Sequence, residues 1–195
     1  MDQQLPSQQK KRLVVGMSGA SGVTLAIQLL RIMKECPDWE THLVISKGAQ
    51  TTIALETDYA MNQVEQLATA VYDIGDHGGN IASGTFHTAG MIIIPCSMKT
   101  VAGIACGYSD NLLLRAADVT LKERRTLVLV PRESPLSTIH LRNMLALAEA
   151  GAFLMPPVAP YYSGVNSLEE MNLQIIGKVL DKFGIELNGF KRWRN

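Results

Sequence analysis

Three charged side chains between residues 115 and 122 have a spacing that suits phosphate binding. Arg115, Asp118 and Lys122 stand at positions i, i+3 and i+7, so a helix would place all three on one face. Asp118 could then hold both cations extended. Charge is concentrated here although the chain as a whole has a formal net charge of zero. The alternative is a helix whose charges only keep its surface solvated.

An apolar run at residues 127–130 predicts a strand that follows this helix. The run ends at Pro131 and carries Arg132 and Glu133 to the carboxyl end of the strand. Ligands of α/β proteins bind at that side of the sheet. The helix and the strand together therefore indicate a phosphate-bearing substrate.

A glycine-rich turn at residues 16–22 (GMSGASG) follows the first apolar run. Such a turn lets backbone N–H groups approach an anion, and the helix that follows adds a partial positive charge. Its spacing matches neither GxGxxG nor GxxxxGK[ST]. After the second apolar run stand Ser46 and Lys47, where an NAD site would place an acid. NAD is therefore disfavoured and a phosphate is favoured, with a turn that binds nothing as the alternative.

The loop after the third apolar run repeats this design. Ser97, Lys99 and Thr100 bring hydroxyl groups and a cation to the start of a predicted helix. Two such loops at one edge of a sheet could hold a mononucleotide of the size of FMN, with the phosphate at one loop and the ring at the other. The alternative is that Ser97 and Thr100 only cap the helix.

Other reactive residue types give weaker signals. Glu56 ends a predicted helix and is expected to be an ordinary solvated carboxylate, and Cys96 a small buried filler. The four histidines show no pairing by spacing. The three cysteines have neither CxxC spacing nor histidine partners, which disfavours disulfides and zinc.

Short continuous apolar runs predict strands that are buried on both faces, and hence a parallel sheet between helices. The expected fold is a single-domain, doubly wound α/β sandwich of the Rossmann or flavodoxin-like type, over residues 11–195, after a disordered tail at 1–10. Strands are expected at 13–15, 43–45, 91–94, 127–130 and 153–155. Helices are expected at 22–35, 47–56, 61–70, 98–105, 110–124, 137–149 and 168–183.

The composition narrows the class of protein further. Only 18% of the 195 residues are charged and 47% are hydrophobic, which suggests that part of the surface is buried in a homo-oligomer. Balanced charge argues against a nucleic-acid partner. No apolar run approaches the roughly 20 residues that cross a bilayer, so no membrane association is expected. The expected location is the cytoplasm.

Several longer strings, in order, make the chain closely resemble the UbiX-type flavin prenyltransferases, including those encoded beside phenolic-acid decarboxylases. The resemblance covers about residues 11–194. Its strings are GMSGASG (16–22), ETHLVISK (40–47), LETD (55–58), PCSMKT (95–100), YSDNLLLRAADVTLKERR (108–125), LVLVPRE (127–133) and PPVAPYY (156–162).

The resemblance implies an enzyme that joins a dimethylallyl group to reduced FMN. Dimethylallyl phosphate is the expected donor, without a metal, because protein cations would replace the magnesium that many prenyltransferases use. The product would be prenylated FMN, closed into a fourth ring and passed to a UbiD-type decarboxylase. The resemblance also implies a dodecamer with its sites where neighbouring chains meet.

The resemblance assigns roles residue by residue. The expected FMN contacts are Gly19, Ala20, Ser21, Ser46, Ser97, Met98, Lys99, Thr100 and Arg132. The expected donor contacts are Tyr162, Lys178, Arg115, Lys122 and Arg132. The residues expected to take part in catalysis are Ser21, close to flavin N5, with Glu56, Lys122 and Glu133. Some relatives carry arginine in place of Lys178, and a lysine lacks the bidentate fork of arginine.

Two other functions remain as alternatives. The first is an FMN-dependent cysteine-type decarboxylase, although such enzymes carry a PASANT-like string where this chain has PCSMKT and no cysteine follows Cys106. The second is a non-catalytic protein that carries FMN to a phenolic-acid decarboxylase as its partner. A carrier would not need a cationic clamp for phosphate.

Overall fold

The computed structural model describes residues 10–193, so all of the predicted tail except Lys10 lies outside the described residues. Its centre is one sheet of six strands in the order β3-β2-β1-β4-β5-β6, in which every pair is parallel. The strands are β1 (Lys11–Met17), β2 (Trp39–Ile45), β3 (Ala70–Tyr72), β4 (Gly90–Cys96), β5 (Thr126–Pro131) and β6 (Phe153–Leu154). The predicted doubly wound α/β fold is confirmed.

The inner strands are apolar along most of their length because helices cover both faces of the sheet. All seven residues of β4 are buried, as are the last five residues of β1, β2 and β5. Their side chains divide into two clusters, one on each face. The sheet is therefore a rigid base whose carboxyl edge carries the connecting loops.

Seven helices connect the strands within the described chain. They are α1 (Val23–Lys34), α2 (Lys47–Glu56), α3 (Met61–Glu65), α4 (Met98–Ala105), α5 (Leu112–Lys122), α6 (Thr138–Glu149) and α7 (Leu168–Leu180). Single 3-10 turns stand at Asn80–Ala82, Tyr161–Ser163 and Asp181–Phe183. Within residues 10–193, no helix combines the length and the apolar character that crossing a lipid bilayer requires.

The predicted helix at 61–70 is wrong in its second half. Helix α3 ends at Glu65, and Ala70–Tyr72 forms the edge strand β3. This strand has three residues and pairs only with β2, from His42 to Val44. A run so short and only half-buried shows no periodicity that would separate it from a helix end.

Candidate active site

The order of the strands reverses between β1 and β4, where open α/β sheets form a crevice at the carboxyl edge. Ser18, which is buried just after β1, joins the two strands there. Its hydroxyl oxygen accepts a hydrogen bond from the backbone nitrogen of Ser97 at 2.7 Å. The same hydroxyl donates to the carbonyl oxygen of Pro95 at 3.2 Å. The loops after β1 and β4 are thus held at a fixed separation.

A cavity of about 400 Å³ opens at this edge. Its volume is within the range of roughly 300–1,000 Å³ that is typical of small-molecule sites. The loops after β1, β2 and β4, the segment after β3 and the start of α5 all contribute to its wall. The lining residues are Gly19, Ser46, Lys47, Gly48, Ile74, Gly75, Ser97, Lys99, Thr100, Asn111, Leu113 and Leu114.

Three helix N-termini open at the cavity, those of α2, α4 and α5, and the first two are capped by serine. The side chain of Ser46 caps α2 by accepting from the nitrogen of Ala49 at 3.2 Å, and Ser97 caps α4 by accepting from that of Thr100 at 3.3 Å. Both serines therefore cap their helices and also line the cavity. Because helix N-termini carry partial positive charge and unpaired N–H groups, the arrangement suits an anionic ligand.

The glycine at position 19 is required by the close approach of two loops. A Cβ atom on Gly19 would lie 3.0 Å from the Cα atom of Gly48, in the first turn of α2. Backbone and not side chain therefore forms this part of the wall. A larger residue would push α2 away from the turn after β1.

The opposite part of the cavity wall is apolar, and the sequence patterns did not identify the residues that form it. Ile74, Leu113 and Leu114 lie there, and the side chain of Asn111 caps α5 by accepting from the nitrogen of Leu114 at 3.0 Å. An asparagine before a leucine-rich helix is a recognisable N-cap signal. A polar end with an apolar wall fits FMN, which joins a phosphate to a flat ring system.

Glu56 is not the free solvated carboxylate expected from sequence. Its Oε2 atom accepts hydrogen bonds from the backbone nitrogens of Gly22 at 2.8 Å and Val23 at 3.4 Å. It therefore completes the start of α1, where the N-cap residue Gly22 has no side chain.

These contacts also set the charge of Glu56. Its partial burial acts to raise the pKa of the carboxyl group, but hydrogen bonds from Ser21 and from the two backbone nitrogens, with the nearby positive charge of Arg132, together hold that pKa below its ordinary value. The carboxylate is thus ionised at neutral pH. Ser21, Glu56 and Arg132 form one electrostatic group at the carboxyl edge.

Arg132 and Glu133 follow β5 at the same edge, as the sequence predicts. The backbone nitrogen of Arg132 donates to the carbonyl oxygen of Cys96 at 3.1 Å, which places it beside the end of β4. Oε1 of Glu133 accepts from the nitrogen of Ser134 at 3.0 Å. Both side chains are exposed and can reach a ligand.

Of the two cations of α5, Lys122 lies away from the cavity. Helix α5 starts at the cavity and runs about 15 Å toward the amino edge of the sheet, so Lys122 at its end lies far from the cavity that Asn111 lines. The side chain of Arg115 pairs with Asp118 at 2.6 Å, as predicted. The expectation that Asp118 also holds Lys122 is wrong, because Lys122 pairs with the adjacent Glu123 at 2.5 Å.

The remaining predicted residues are also dispersed. Tyr162 stands in an exposed turn and packs edge-on against Trp193, with 5.3 Å between the ring centroids. Lys178 is exposed in the last turn of α7. Ala20 and Met98 flank the cavity loops without lining the cavity. One chain thus assembles most of the expected FMN contacts but not the expected cationic clamp.

Cys96 is fully buried, and burial raises the pKa of its thiol well above the ordinary value. This confirms the expected role as a filler. Among residues 10–193, no three His, Cys, Asp or Glu side chains lie together as metal ligands would.

Comparison with known proteins decides the family. A model of the family described as Flavoprotein matches residues 2–182. The "Probable UbiX-like flavin prenyltransferase" of Sedimentibacter hydroxybenzoicus is 51% identical over 182 residues, which are 93% of this chain and 96% of the relative. The chain belongs to the UbiX-like flavin prenyltransferases. The family resemblance carried by the sequence strings is thereby confirmed, and with it the expected class of enzyme and its flavin, FMN.

Solved UbiX-like structures agree with the fold along almost the whole chain. A dodecameric FMN-dependent UbiX-like decarboxylase from Escherichia coli O157:H7 has a TM-score of 0.93 and 50% identity, and the match covers 94% of this chain and 100% of that one. AnUbiX (PadA1), in complex with FMN and dimethylallyl pyrophosphate, also has a TM-score of 0.93, with 48% identity and coverage of 95% and 98%.

The cysteine-type decarboxylases are more distant from this UbiX-like chain. The peptidyl-cysteine decarboxylase EpiD has a TM-score of 0.61 and 15% identity over 76% of this chain. Such a likeness is one of fold alone. The first alternative function therefore has no support beyond the shared architecture.

Proposed function

We propose that this enzyme joins the dimethylallyl group of dimethylallyl phosphate to N5 and C6 of reduced FMN, and so makes the prenylated FMN that a UbiD-type decarboxylase uses. The observation that carries the proposal is the cavity at the reversal of the strand order, walled by three capped helix N-termini and adjoined by Glu56 and Arg132. The proposed location of this reaction is the cytoplasm.

The residues of the cavity divide the binding of FMN between them. The N-termini of α2 and α4, capped by Ser46 and Ser97, bind the phosphate through backbone N–H groups. Leu113 and Leu114 pack against the ring and exclude water from it. Bound and reduced, FMN supplies the nucleophilic N5 and C6 atoms to which the prenyl group becomes attached.

The departing phosphate determines what the protein must do. Breaking an allylic C–O bond leaves negative charge on the phosphate and positive charge on carbon. Fixed cations must therefore bind the phosphate, and ionised acids must face the positively charged carbon. Arg132 stands at the carboxyl edge to bind the phosphate, and the carboxylate of Glu56 faces the same space. Closure of the ring at flavin C6 also requires that the C6 proton be removed and that a proton be delivered to the double bond of the prenyl group, and Glu133 is the group that relays these protons through the departing phosphate.

The rest of the clamp comes from neighbouring chains. Arg115 and Lys122 pair with Asp118 and Glu123, and Lys122 stands at the end of α5 that is remote from the cavity of its own chain. An assembly in which that end of α5 meets the cavity of a neighbour completes the site, and a dodecamer of the kind formed by the E. coli relative is the proposed arrangement.

The surface of α6 supports such an assembly. Leu141 and Leu145 lie one turn apart on the same face of this helix, and more than half of each residue is accessible to solvent. Apolar groups clustered in this way mark a surface that associates with another protein. A closed oligomer would cover it and would also exclude water from the prenyl group.

Product analysis tests the proposed reaction. The protein is incubated with reduced FMN and dimethylallyl phosphate without oxygen, and the flavin is examined by mass spectrometry and added to an apo UbiD-type enzyme. A flavin heavier by one prenyl unit that activates the decarboxylase is expected. A parallel reaction with the diphosphate, the donor bound in AnUbiX, decides which donor is used. If neither donor changes the flavin, the protein is a carrier of FMN.

A further inference from the structure

The loop after β6 leaves the sheet at the carboxyl edge, where the candidate site lies. The backbone nitrogen of Met155, directly after β6, donates to a carbonyl oxygen of β5 at 2.8 Å. The loop therefore starts beside the strand that Arg132 follows. It leads to the 3-10 turn at Tyr161–Ser163, in which Tyr162 is more than half exposed. An exposed hydroxyl group thus belongs to a loop of the edge at which ligands of α/β proteins bind.

A groove of about 400 Å³ separates this loop from the start of α7. Pro160 and Tyr161 line the groove on the side of the loop, and Leu168 and Met171 line it on the side of the helix. The backbone nitrogen of Ser163 donates to the carbonyl oxygen of Pro160 at 2.9 Å, but this bond is internal to the turn. The position of the turn therefore depends on contacts with other parts of the chain.

The segment at residues 189–193 supplies such contacts. The ammonium group of Lys191 donates to the carbonyl oxygen of Ser163 at 2.9 Å. The ring of Trp193 packs edge-on against the ring of Tyr162. The segment thus contacts two consecutive residues of the turn, one through its backbone and one through its side chain.

Helix α7 fixes this segment in its turn. The side chain of Gln174, which is only 4% exposed, donates to the carbonyl oxygen of Gly189 and accepts from the backbone nitrogen of Lys191, both at 2.8 Å. The ring of Phe190 packs directly on Gly177, where a Cβ atom would overlap it. A buried amide whose two ends are both satisfied by backbone groups favours one arrangement of that backbone. Lys191 therefore reaches the turn from a fixed base.

We propose that Lys191 is a positioning residue, which holds the turn so that the hydroxyl group of Tyr162 can bind the phosphate of the prenyl donor. The inference rests on the proposed function in taking this phosphate as the ligand and Tyr162 as one of its contacts. A turn that is already held loses less conformational freedom when the phosphate binds. The ammonium group of Lys191 acts through Ser163 and does not itself bind the phosphate.

Binding of dimethylallyl phosphate to the protein loaded with oxidised FMN tests this without any reaction. Calorimetric titration compares the wild-type protein with Lys191→Met, Lys191→Arg, Tyr162→Phe and the double variant Lys191→Met/Tyr162→Phe. Lys10→Met, at an exposed residue directly before β1, is the matched control for the loss of one positive charge. Amide hydrogen exchange of residues 158–167, measured by mass spectrometry without the prenyl donor, reports how firmly the turn is held.

For Lys191→Met we expect faster exchange in the turn and about tenfold weaker binding of dimethylallyl phosphate, which is the scale of one hydrogen bond from a charged group. The affinity for FMN should not change. Lys191→Arg, which keeps a charged N–H group, should restore both properties, and Lys10→Met should alter neither. In the Tyr162→Phe background, loss of Lys191 should cause little further weakening, because Lys191 acts through the hydroxyl group that is already absent.

An equal loss of affinity in both backgrounds overturns the proposal, because the charge of Lys191 would then attract the phosphate directly. Unchanged exchange in Lys191→Met, or a wild-type protein that does not bind dimethylallyl phosphate, also overturns it. A wild-type protein that binds dimethylallyl phosphate with this dependence on Lys191, but forms no prenylated flavin, contradicts the proposed reaction and supports this inference.

Discussion

Oε2 of Glu56 lies 2.8 Å from the backbone nitrogen of Gly22, so that the last residue of α2 completes the first turn of α1. Residues that are 34 positions apart thus share one hydrogen bond beside the cavity. Because Ser21 and Arg132 also interact with this carboxylate, a group proposed to act in catalysis holds the loop that surrounds it. Stability and chemistry are coupled at this point.

Replacement of Glu56 by alanine should destabilise the protein by about 1 kcal/mol, as the loss of a helix N-cap does. Denaturant unfolding at neutral pH measures the change, with Asp58→Ala, an exposed acid two residues away, as the control. Since the folded-state pKa of Glu56 is depressed, its stabilisation is present above its ordinary pKa of 4.5 and is lost as the pH falls through the lower folded value. Equal stability of both variants would contradict the capping role.

Ser18→Ala should lower both stability and affinity for FMN. The substitution leaves the partly buried nitrogen of Ser97 without its acceptor, at a cost of about 1–3 kcal/mol, and releases the loop that caps α4. Calorimetric titration with FMN and thermal unfolding follow the two effects. Ser83→Ala, in an exposed loop, is the matched control. An unaltered affinity for FMN would show that the Ser18 bridge does not shape the cavity.

Glu133→Gln should retain FMN but slow prenyl transfer by roughly 100-fold, which is a common contribution of a general acid or base. Single-turnover kinetics with pre-bound reduced FMN separates the chemical step from binding. Glu149→Gln, an exposed acid at the end of α6, should be fully active. Loss of FMN from Glu133→Gln would instead assign a structural role to this residue.

Lys122→Ala and Arg132→Ala should each abolish prenyl transfer, because the charge of the phosphate is left uncompensated. Mixed oligomers of the two inactive variants should recover activity at about a quarter of their sites, since Lys122 and the cavity beside Arg132 would come from different chains. Activity after dissociation and reassembly of the mixture is the measurement. An inactive mixture refutes the shared site, and full activity of either single variant removes that residue from the clamp.

His42 should make stability depend on pH near and below the ordinary pKa of histidine. Burial is the main cause that lowers the pKa of the His42 imidazole. The Nδ1 atom of His42 is hydrogen-bonded to the hydroxyl of Tyr72 at 2.9 Å. The folded state therefore binds fewer protons than the unfolded state, and stability falls as the pH falls below the ordinary value of 6.5. The slope should be smaller in His42→Asn and unchanged in His77→Asn, an exposed control. Equal slopes in both variants would exclude His42 as the cause.

Much of the fold is readable from the chain because continuous apolar runs identify strands that are buried on both faces. The runs at 91–94 and 127–130 lie within β4 and β5, and the predicted helix at 47–56 coincides with α2. The edge strand β3 escapes this rule. It has one neighbour and little burial, so neither its length nor its pattern differs from the end of a helix.

The site was only partly readable. Ser46 and Ser97 stand directly after strands, and strand ends of a parallel sheet meet at one edge, so their convergence follows from order along the chain. The order of the strands does not reveal the position of Glu56, because its hydrogen bond with Gly22 depends on how the end of α2 packs against the first turn of α1. The apolar wall formed by Leu113 and Leu114 depends in the same way on how α5 packs.

The sequence by itself determined the family, the parallel sheet and the loops that meet at its carboxyl edge, because these follow from local patterns and from strand order. Only the tertiary structure decided which charges meet. It placed Arg132 beside Glu56 and directed α5 away from the cavity, so that Lys122 reaches the opposite side of the molecule. The reason is that electrostatic and hydrogen-bond partners are set by distance in space, and helical spacing specifies a shared face but not the element that the face meets.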